Sequence, residues 1–371
     1  MRVALFCATA DVTNGYGNIT YELTRHLSGL GVEVVLFAVA SEEQLVADLH
    51  LPFETRCVLP NNALRLYLNE GRKLFRSYDV SDCDIVHSLF AFPYCIPAAR
   101  SAKKYGKPFM MGAQGTYGVR PLTQLPERWF LKRCYSFAKA IVVPSAFTQE
   151  KITEHAGCEY PISIIHNGVD VDRFQKDVPD IRSQYAGKKV LLTVGGLKER
   201  KGQDIVIRAL QKIRQQREDV VYVLVGEGNW KPGLQKLAEE LGVADAVDFV
   251  GSKKGDELVS LYNACDVYVH TPKVVDLNFE GFGIVYLEAS ACGKPIVATD
   301  AGGIRDAVVD GKTGLIAPDG DVDAVAKHIL SLVDSPELAL QMGEAGKVYA
   351  RAHDWSDIAK QYLDHYNQIH P

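Results

Sequence analysis

No stretch of the sequence approaches the ~20 consecutive apolar residues that a membrane-spanning helix needs, although 47% of its residues are hydrophobic. The apolar segments are short and interrupted by charge or glycine. They are expected to fill globular cores, not a bilayer. The first residues, Met1-Arg2-Val3-Ala4-Leu5-Phe6-Cys7-Ala8, are apolar enough to suggest a secretory leader. The run stops at Asp11 and Asn14 with no small-residue cleavage site behind it, so a first β-strand is the expectation. Paired cysteines are also missing. The eight cysteines, at 7, 57, 83, 95, 134, 158, 265 and 292, form no CxxC and no paired spacing. That disfavours a zinc site or a disulfide framework and fits buried free thiols in a reducing cytoplasm. Nor is there an excess of positive charge: the net charge is -5, and nothing in it suggests a bulk affinity for nucleic acid.

What is present is an alternation. Nearly continuous apolar runs are expected as strands at 2–8, 32–40, 85–89, 108–112 and 140–144. A second series follows at 190–194, 221–225, 248–250, 267–270 and 295–298. Helical patterns separate them and close the chain at 324–333 and 355–369. Uniformly apolar strands alternating with helices predict parallel sheets covered on both faces. Two such series in 371 residues predict an α/β chain of two Rossmann-like, doubly wound domains. The polar, proline-bearing stretch near 171–186 marks the break, placed between 172 and 173. No repeat of solenoid period and no low-complexity segment is found.

Ligands of such sheets bind at loops beyond the carboxyl ends of strands, and four loops stand out. Asp11-Val12-Thr13-Asn14-Gly15-Tyr16-Gly17-Asn18 can bring backbone amides of Gly15 and Gly17 to an anion at a helix start. Thr20 fills the third position of a GxGxxG, so a hydride-transfer nucleotide site is disfavoured. Gly195-Gly196-Leu197-Lys198-Glu199-Arg200-Lys201-Gly202 joins a glycine turn to the adjacent cations Arg200 and Lys201, which suits a diphosphate whose charge grows as it leaves. Val225-Gly226-Glu227-Gly228 is a third glycine turn. In Phe279-Glu280-Gly281-Phe282-Gly283-Ile284-Val285-Tyr286-Leu287-Glu288, two carboxylates lie on the order of 10 Å apart along the chain. They are too distant to share a proton and suited to two ends of one elongated ligand. The amides of Phe282, Gly283 and Ile284 open the helix that carries Glu288.

This last segment resembles the glutamate-x7-glutamate signature of the retaining family-four glycosyltransferases, which have the GT-B fold. The likeness extends to Val143-Pro144-Ser145, Ile165-His166-Asn167-Gly168-Val169-Asp170, the turn at 195–202, and Gly293-Lys294-Pro295-Ile296-Val297-Ala298 followed by Gly302-Gly303. The resemblance implies two domains facing a cleft: 1–172, completed by a returning helix at 355–371, for the acceptor, and 173–354 for the nucleotide-sugar donor. It implies that Glu280 contacts donor-sugar hydroxyls and Glu288 the ribose, while Lys201 and Arg200 hold the diphosphate. Amides of Gly15, Gly17 and Phe282–Ile284 would add phosphate donors. The base would lie near Gly226, Gly228, Ser252 and Lys253. It also implies front-face transfer with retention, no metal and no resident cofactor. No Asp-x-Asp pair placed at an expected strand end suggests a metal. Two positions depart from the family pattern. Gly196 stands where relatives often have arginine, and Gln114, in Ala113-Gln114-Gly115-Thr116, stands where they often have a histidine. An amide binds a hydroxyl but cannot act as base.

On the acceptor side Gln114, Thr116 and His87 are the candidates; a histidine satisfied by its neighbours is the competing reading for His87. Arg128-Trp129-Phe130-Leu131-Lys132-Arg133 mixes aromatics and cations as a membrane-surface helix does. A helix packing its aromatic side on the sheet, with solvated cations opposite, gives the same pattern. The expected activity is hexosyl transfer, with UDP-glucose as the first donor choice and UDP-galactose or UDP-N-acetylglucosamine next. The acceptor is a glycan or lipid-linked molecule. The setting is the cytoplasm, with peripheral contact at the inner face of a membrane. An epimerase on the same fold and a non-catalytic nucleotide-sugar-binding subunit are the competing classes.

Overall fold

The computed structural model describes residues 1–12, 14–61 and 69–370. Thr13, in the first glycine loop, lies outside them. Among the described residues two wholly parallel sheets form, one in each of two compact units: residues 1–167 with 355–371, and residues 168–354. These are the two parallel-sheet α/β units that the sequence predicts.

The first sheet holds β1 (Arg2–Phe6), β2 (Glu33–Val39), β3 (Glu54–Leu59), β4 (Ile85–Ser88), β5 (Phe109–Gly112), β6 (Ala140–Val143) and β7 (Ile162–Ile164) in the order β3-β2-β1-β4-β5-β6-β7. The second holds β8 (Lys189–Val194), β9 (Val220–Val225), β10 (Val247–Gly251), β11 (Val267–His270), β12 (Ile296–Thr299) and β13 (Gly314–Ala317) in the order β10-β9-β8-β11-β12-β13. In each, the first strand is central: Val3 pairs with Val34 and with Ile85, and Leu191 with Tyr222 and with Val267. The order therefore reverses between β1 and β4 and between β8 and β11. Crevices beyond such reversals are where open α/β sheets take ligands.

The continuous apolar strands are explained by the two faces of the second sheet. Leu191, Tyr222, Leu224, Val267 and Val269 belong to one core cluster, and Val190, Leu192, Val223, Val225 and Tyr268 to the other. Alternate residues enter opposite cores, so neither face leaves a polar period. The strands absent from the two expected series are β3, β7 and β13, all at sheet edges. There Glu54, Thr55 and Arg56 of β3 are not buried, and the apolar pattern that announces a central strand is lost.

The division between units falls at 167/168, earlier than the expected 172/173. Val169 explains the difference: its amide donates to His353 O at 3.0 Å and it bridges to Asp354, so residues 168–172 are tied to the second unit. Asp170 then caps the helix Val171–Gln175 through its side chain.

The helix Trp355–Ile369 belongs to the first unit and packs on the helix Gly15–Gly29. Its buried residues Trp355, Ile358, Ala359, Tyr362 and Tyr366 follow helical spacing. Tyr366 reaches the sheet, its hydroxyl 2.7 Å from Nδ1 of the fully buried His87 on β4. Tyr366→Phe leaves both His87 ring nitrogens without partners and is expected to cost about 1–3 kcal/mol. Thermal and urea denaturation check it; an unchanged melting temperature would remove this hydroxyl from the account of what holds the helix.

Candidate active site

The second unit gathers its charged candidates at the reversal between β8 and β11. After β8 the chain turns through Gly195 and Gly196, and a short 3-10 turn over Glu199–Lys201 carries the two cations. The next loop fixes this turn. Lys273 N–H donates to Arg200 O at 2.8 Å, and Thr271 Oγ1 donates to Gly202 O at 2.7 Å. At Gly202, φ is +69° and a Cβ would stand 1.6 Å from Thr271 O. Only glycine lets the two loops meet so closely.

Glu280 arrives from the segment after β11. Its carbonyl accepts from Gly303 N–H at 2.8 Å, and a Cβ on Gly302 would stand 2.4 Å from that oxygen. The Gly302-Gly303 pair thus serves to seat Glu280. Its Oε2 lies 2.5 Å from Lys201 Nζ, 3.4 Å from Arg200 Nη1 and 4.0 Å from His270 Nε2. The Lys201 and Glu280 side chains are 14% and 16% exposed. Burial alone would raise the Glu280 pKa, but Lys201, His270 and Arg200 more than offset it and hold the carboxyl well below the usual range. Burial lowers His270 to about 4, leaving a neutral ring whose two nitrogens have no hydrogen-bond partner among the described residues.

Glu288 lies within the helix Ile284–Ala291, one turn past the start marked by Gly283. It accepts a hydrogen bond from Tyr262 Oη at 2.7 Å. Burial raises its pKa, opposed by that bond and by Arg173. The signature's two carboxylates are therefore pushed in opposite directions by their surroundings. Phe282 is buried, and Gly283 and Ile284 head the helix, whose first amides lack intrahelical acceptors.

The loops after β8, β9 and β10 are joined side by side. Gly195 N–H donates to Val225 O, Gly226 N–H to Gly251 O, and Leu197 N–H to Glu227 O. Gly228 packs its Cα against Leu197 O. Ser252 is exposed, and Lys253 Nζ lies 3.4 Å from Glu257. The structure thus brings together Glu280, Lys201 and Arg200, with Gly226, Gly228, Ser252 and Lys253 on adjoining loops and Glu288 on the following helix.

The remaining candidates lie in the first unit. Gly15 opens the helix Gly15–Gly29, but the Gly17 amide is taken by the Asn14 cap at 2.9 Å. Gln114 is buried, its Oε1 accepting from Asn167 Nδ2 at 3.2 Å and its Nε2 unpartnered among the described residues. Thr116 begins the short helix Thr116–Val119, and Tyr117 meets Tyr16 edge-on at 5.5 Å. His87 is enclosed under the C-terminal helix, its pKa lowered to about 3 by burial; it has no open face for an acceptor.

Two residues at the site were not singled out from the sequence. His270 ends an expected strand, where its polarity at a carboxyl end was the available signal. Lys273 follows it, bonding Asp204 at 2.7 Å. Nothing in the local pattern announces the turn at Asp276 and Leu277, which hold φ values of +47° and +62° without glycine.

Residues 13–173 match the family model Glycosyltransferase Family 4, and residues 175–349 match Glycosyl transferases group 1. The chain belongs to glycosyltransferase family 4. This member is 36% identical over 231 residues to a GDP-mannose-dependent alpha-(1-6)-phosphatidylinositol monomannoside mannosyltransferase of Mycolicibacterium smegmatis, covering 60% of each chain. It is 32% identical over 222 residues to a D-inositol 3-phosphate glycosyltransferase of Corynebacterium urealyticum, covering 56% of this chain and 51% of that one. The chain is thus matched over less than two thirds of the length of these relatives. Among solved structures, Anabaena Alr3699/HepE with UDP and glucose superposes with a TM-score of 0.82 at 21% identity, covering 99% of this chain and 100% of that one. Sucrose-phosphate synthase of Thermosynechococcus elongatus gives 0.78 at 21% identity, covering 100% and 99%. Both share the fold.

All eight cysteines are free, five of them buried. Among the described residues no helix is long and apolar enough to cross a membrane, and no cluster of His, Cys, Asp and Glu has a metal-binding arrangement.

Because the folded-state pKa of Glu280 is depressed, its contribution to stability is present above its unfolded value near 4.5 and is lost as pH falls through the lower folded value. Glu280→Gln is therefore expected to flatten the acid limb of stability against pH. Parallel acid limbs for the two proteins would contradict the charge arrangement described.

Proposed function

We propose that this protein is a retaining hexosyltransferase that moves a sugar from a nucleoside diphosphate to a hydroxyl of a glycan or lipid-linked acceptor. The observation that carries the reading is the convergence of Lys201, Arg200 and His270 on one oxygen of Glu280, at the strand reversal of a family-four chain. In this reading the diphosphate takes Lys201 and Arg200 as its partners, and Glu280, ionised at neutral pH, accepts hydrogen bonds from sugar hydroxyls. The bond from the anomeric carbon to the β-phosphate oxygen breaks. The acceptor oxygen bonds to the same face of that carbon, and the acceptor's proton passes to the departing phosphate. Cations fixed where that charge develops lower the barrier without reorganising. Glu288 takes ribose hydroxyls, and the amides of Gly283 and Ile284 face phosphate. The base lies by Gly226, Gly228, Ser252 and Lys253. Gln114 and Thr116 serve the acceptor, with Gly15 contributing an amide; no metal or cofactor is required.

For the donor, GDP-mannose displaces UDP-glucose as first choice. The support is the 36% identity to an enzyme named for GDP-mannose, whereas UDP and glucose occur with a structure at 21% identity. The same relative's name supports a lipid-linked acceptor.

A thermal-shift comparison of GDP, UDP, ADP and their sugar conjugates without added metal tests the donor. A ligand at 100 times its Kd adds about 2.7 kcal/mol, which raises the melting temperature selectively. No shift with any of them would remove the donor-site reading. Glu280→Ala is expected to abolish transfer with the fold intact, and Lys201→Ala to weaken nucleotide binding and turnover together. Near-normal turnover in the first, or unchanged nucleotide affinity in the second, would overturn the assigned role.

A further inference from the structure

His270 ends β11 wholly buried, and neither of its ring nitrogens has a hydrogen-bond partner among the described residues. A polar group orphaned in a core calls for a reason. The acceptor it lacks is close. Glu280 Oε2 stands 4.0 Å from Nε2, whereas a hydrogen bond needs ~2.9 Å. That oxygen is already engaged by Lys201 Nζ at 2.5 Å and Arg200 Nη1 at 3.4 Å.

The rest of the ring's surroundings hold it without charge. The Tyr286 hydroxyl donates to His270 O at 2.9 Å, and the Tyr286 and Tyr268 rings lie 5.5 Å and 6.5 Å away between centroids. The charged groups that act on the imidazole are Glu280, Lys201 and Arg200. Burial lowers its pKa to about 4. The ring therefore offers an N–H without adding a third positive charge beside Lys201 and Arg200.

We propose that His270 is a positioning residue that takes over Glu280 when a diphosphate draws off its cations: the carboxylate closes by about 1 Å onto Nε2–H and keeps its orientation toward the sugar. The inference rests on the donor-site reading above, which puts the diphosphate on Lys201 and Arg200. Without a second donor, anion binding would strand an ionised carboxylate whose side chain is only 16% exposed. The backbone of Glu280 is pinned by the Gly303 amide, so the change falls to its side-chain torsions. No proton leaves the ring. The two cations serve Glu280 first and phosphate afterwards, and the imidazole fills the interval.

The test is a double-mutant cycle read as nucleotide affinity by calorimetry, with GDP and UDP each titrated into the full chain. H270F and H270M remove the N–H, and H270Q keeps one at a similar reach. The two donor-free variants are expected to bind nucleotide about tenfold more weakly than the parent, the low end for a hydrogen bond to an ionised group. H270Q should bind close to the parent. In an E280Q background, where no charge is left uncompensated, H270F and H270M should cost nothing. Melting curves check the fold of each variant; should H270F not fold, H270M, whose flexible chain adapts to the same space, carries the comparison. A ring that only shapes the phosphate turn would weaken binding equally in both backgrounds, and that result would overturn the proposal. So would full affinity in H270F and H270M, or a loss in H270Q as large as theirs. Binding of neither nucleotide by the parent would instead sink the donor-site reading, and the inference with it.

Discussion

A carboxylate held away from water is unstable unless something replaces its hydration, and Glu280 depends on Lys201 and Arg200 for that replacement. Much of the second unit serves to keep this arrangement. Lys201 is held in place because Gly202 allows the loop after β8 to touch Thr271. Glu280 is held because Gly302 allows the loop after β12 to touch its backbone. Each contact relies on a parallel strand ending at the right depth, and those depths follow from the registers of β8, β11 and β12. The geometry is one of compensated charge, and a bound anion can compete for its cations.

That competition gives the environment of the second carboxylate its meaning. Glu288 has a tyrosine hydroxyl and a more distant arginine instead of a direct cation, and burial drives it the other way. Two acids eight residues apart thus have different proton affinities on one segment. Glu280 is held by cations, while Glu288 accepts from a neutral hydroxyl.

The fold was legible where the chain is buried on both faces. Central strands such as β8 and β11 are almost wholly apolar because both sides of each strand enter a core, and Val3, Ala4, Leu5 and Phe6 of β1 are likewise fully buried. β3 was not legible because an edge strand can carry Glu54 and Arg56 and still pair. The signature from Glu280 to Glu288 was readable from spacing and resemblance. The part played by His270 was not, since a histidine ending a strand looks the same whether it faces a carboxylate or a core. The amide of Gly17 illustrates the converse: a glycine-rich turn suggested an anion donor, and the structure gives that amide to the side chain of Asn14. Nor could periodicity show that one helix would bury Leu131 and Tyr135 while leaving Trp129 outside, because a mixed aromatic and cationic run fits either face.

The first unit is assembled from both ends of the chain, whereas the second is one continuous stretch, 168–354. During synthesis the second unit can therefore close its sheet while the first still lacks the helix Trp355–Ile369. Until residues 355–371 emerge, His87 and the face of the helix Gly15–Gly29 beneath that helix are uncovered. The part of the protein made first is completed last.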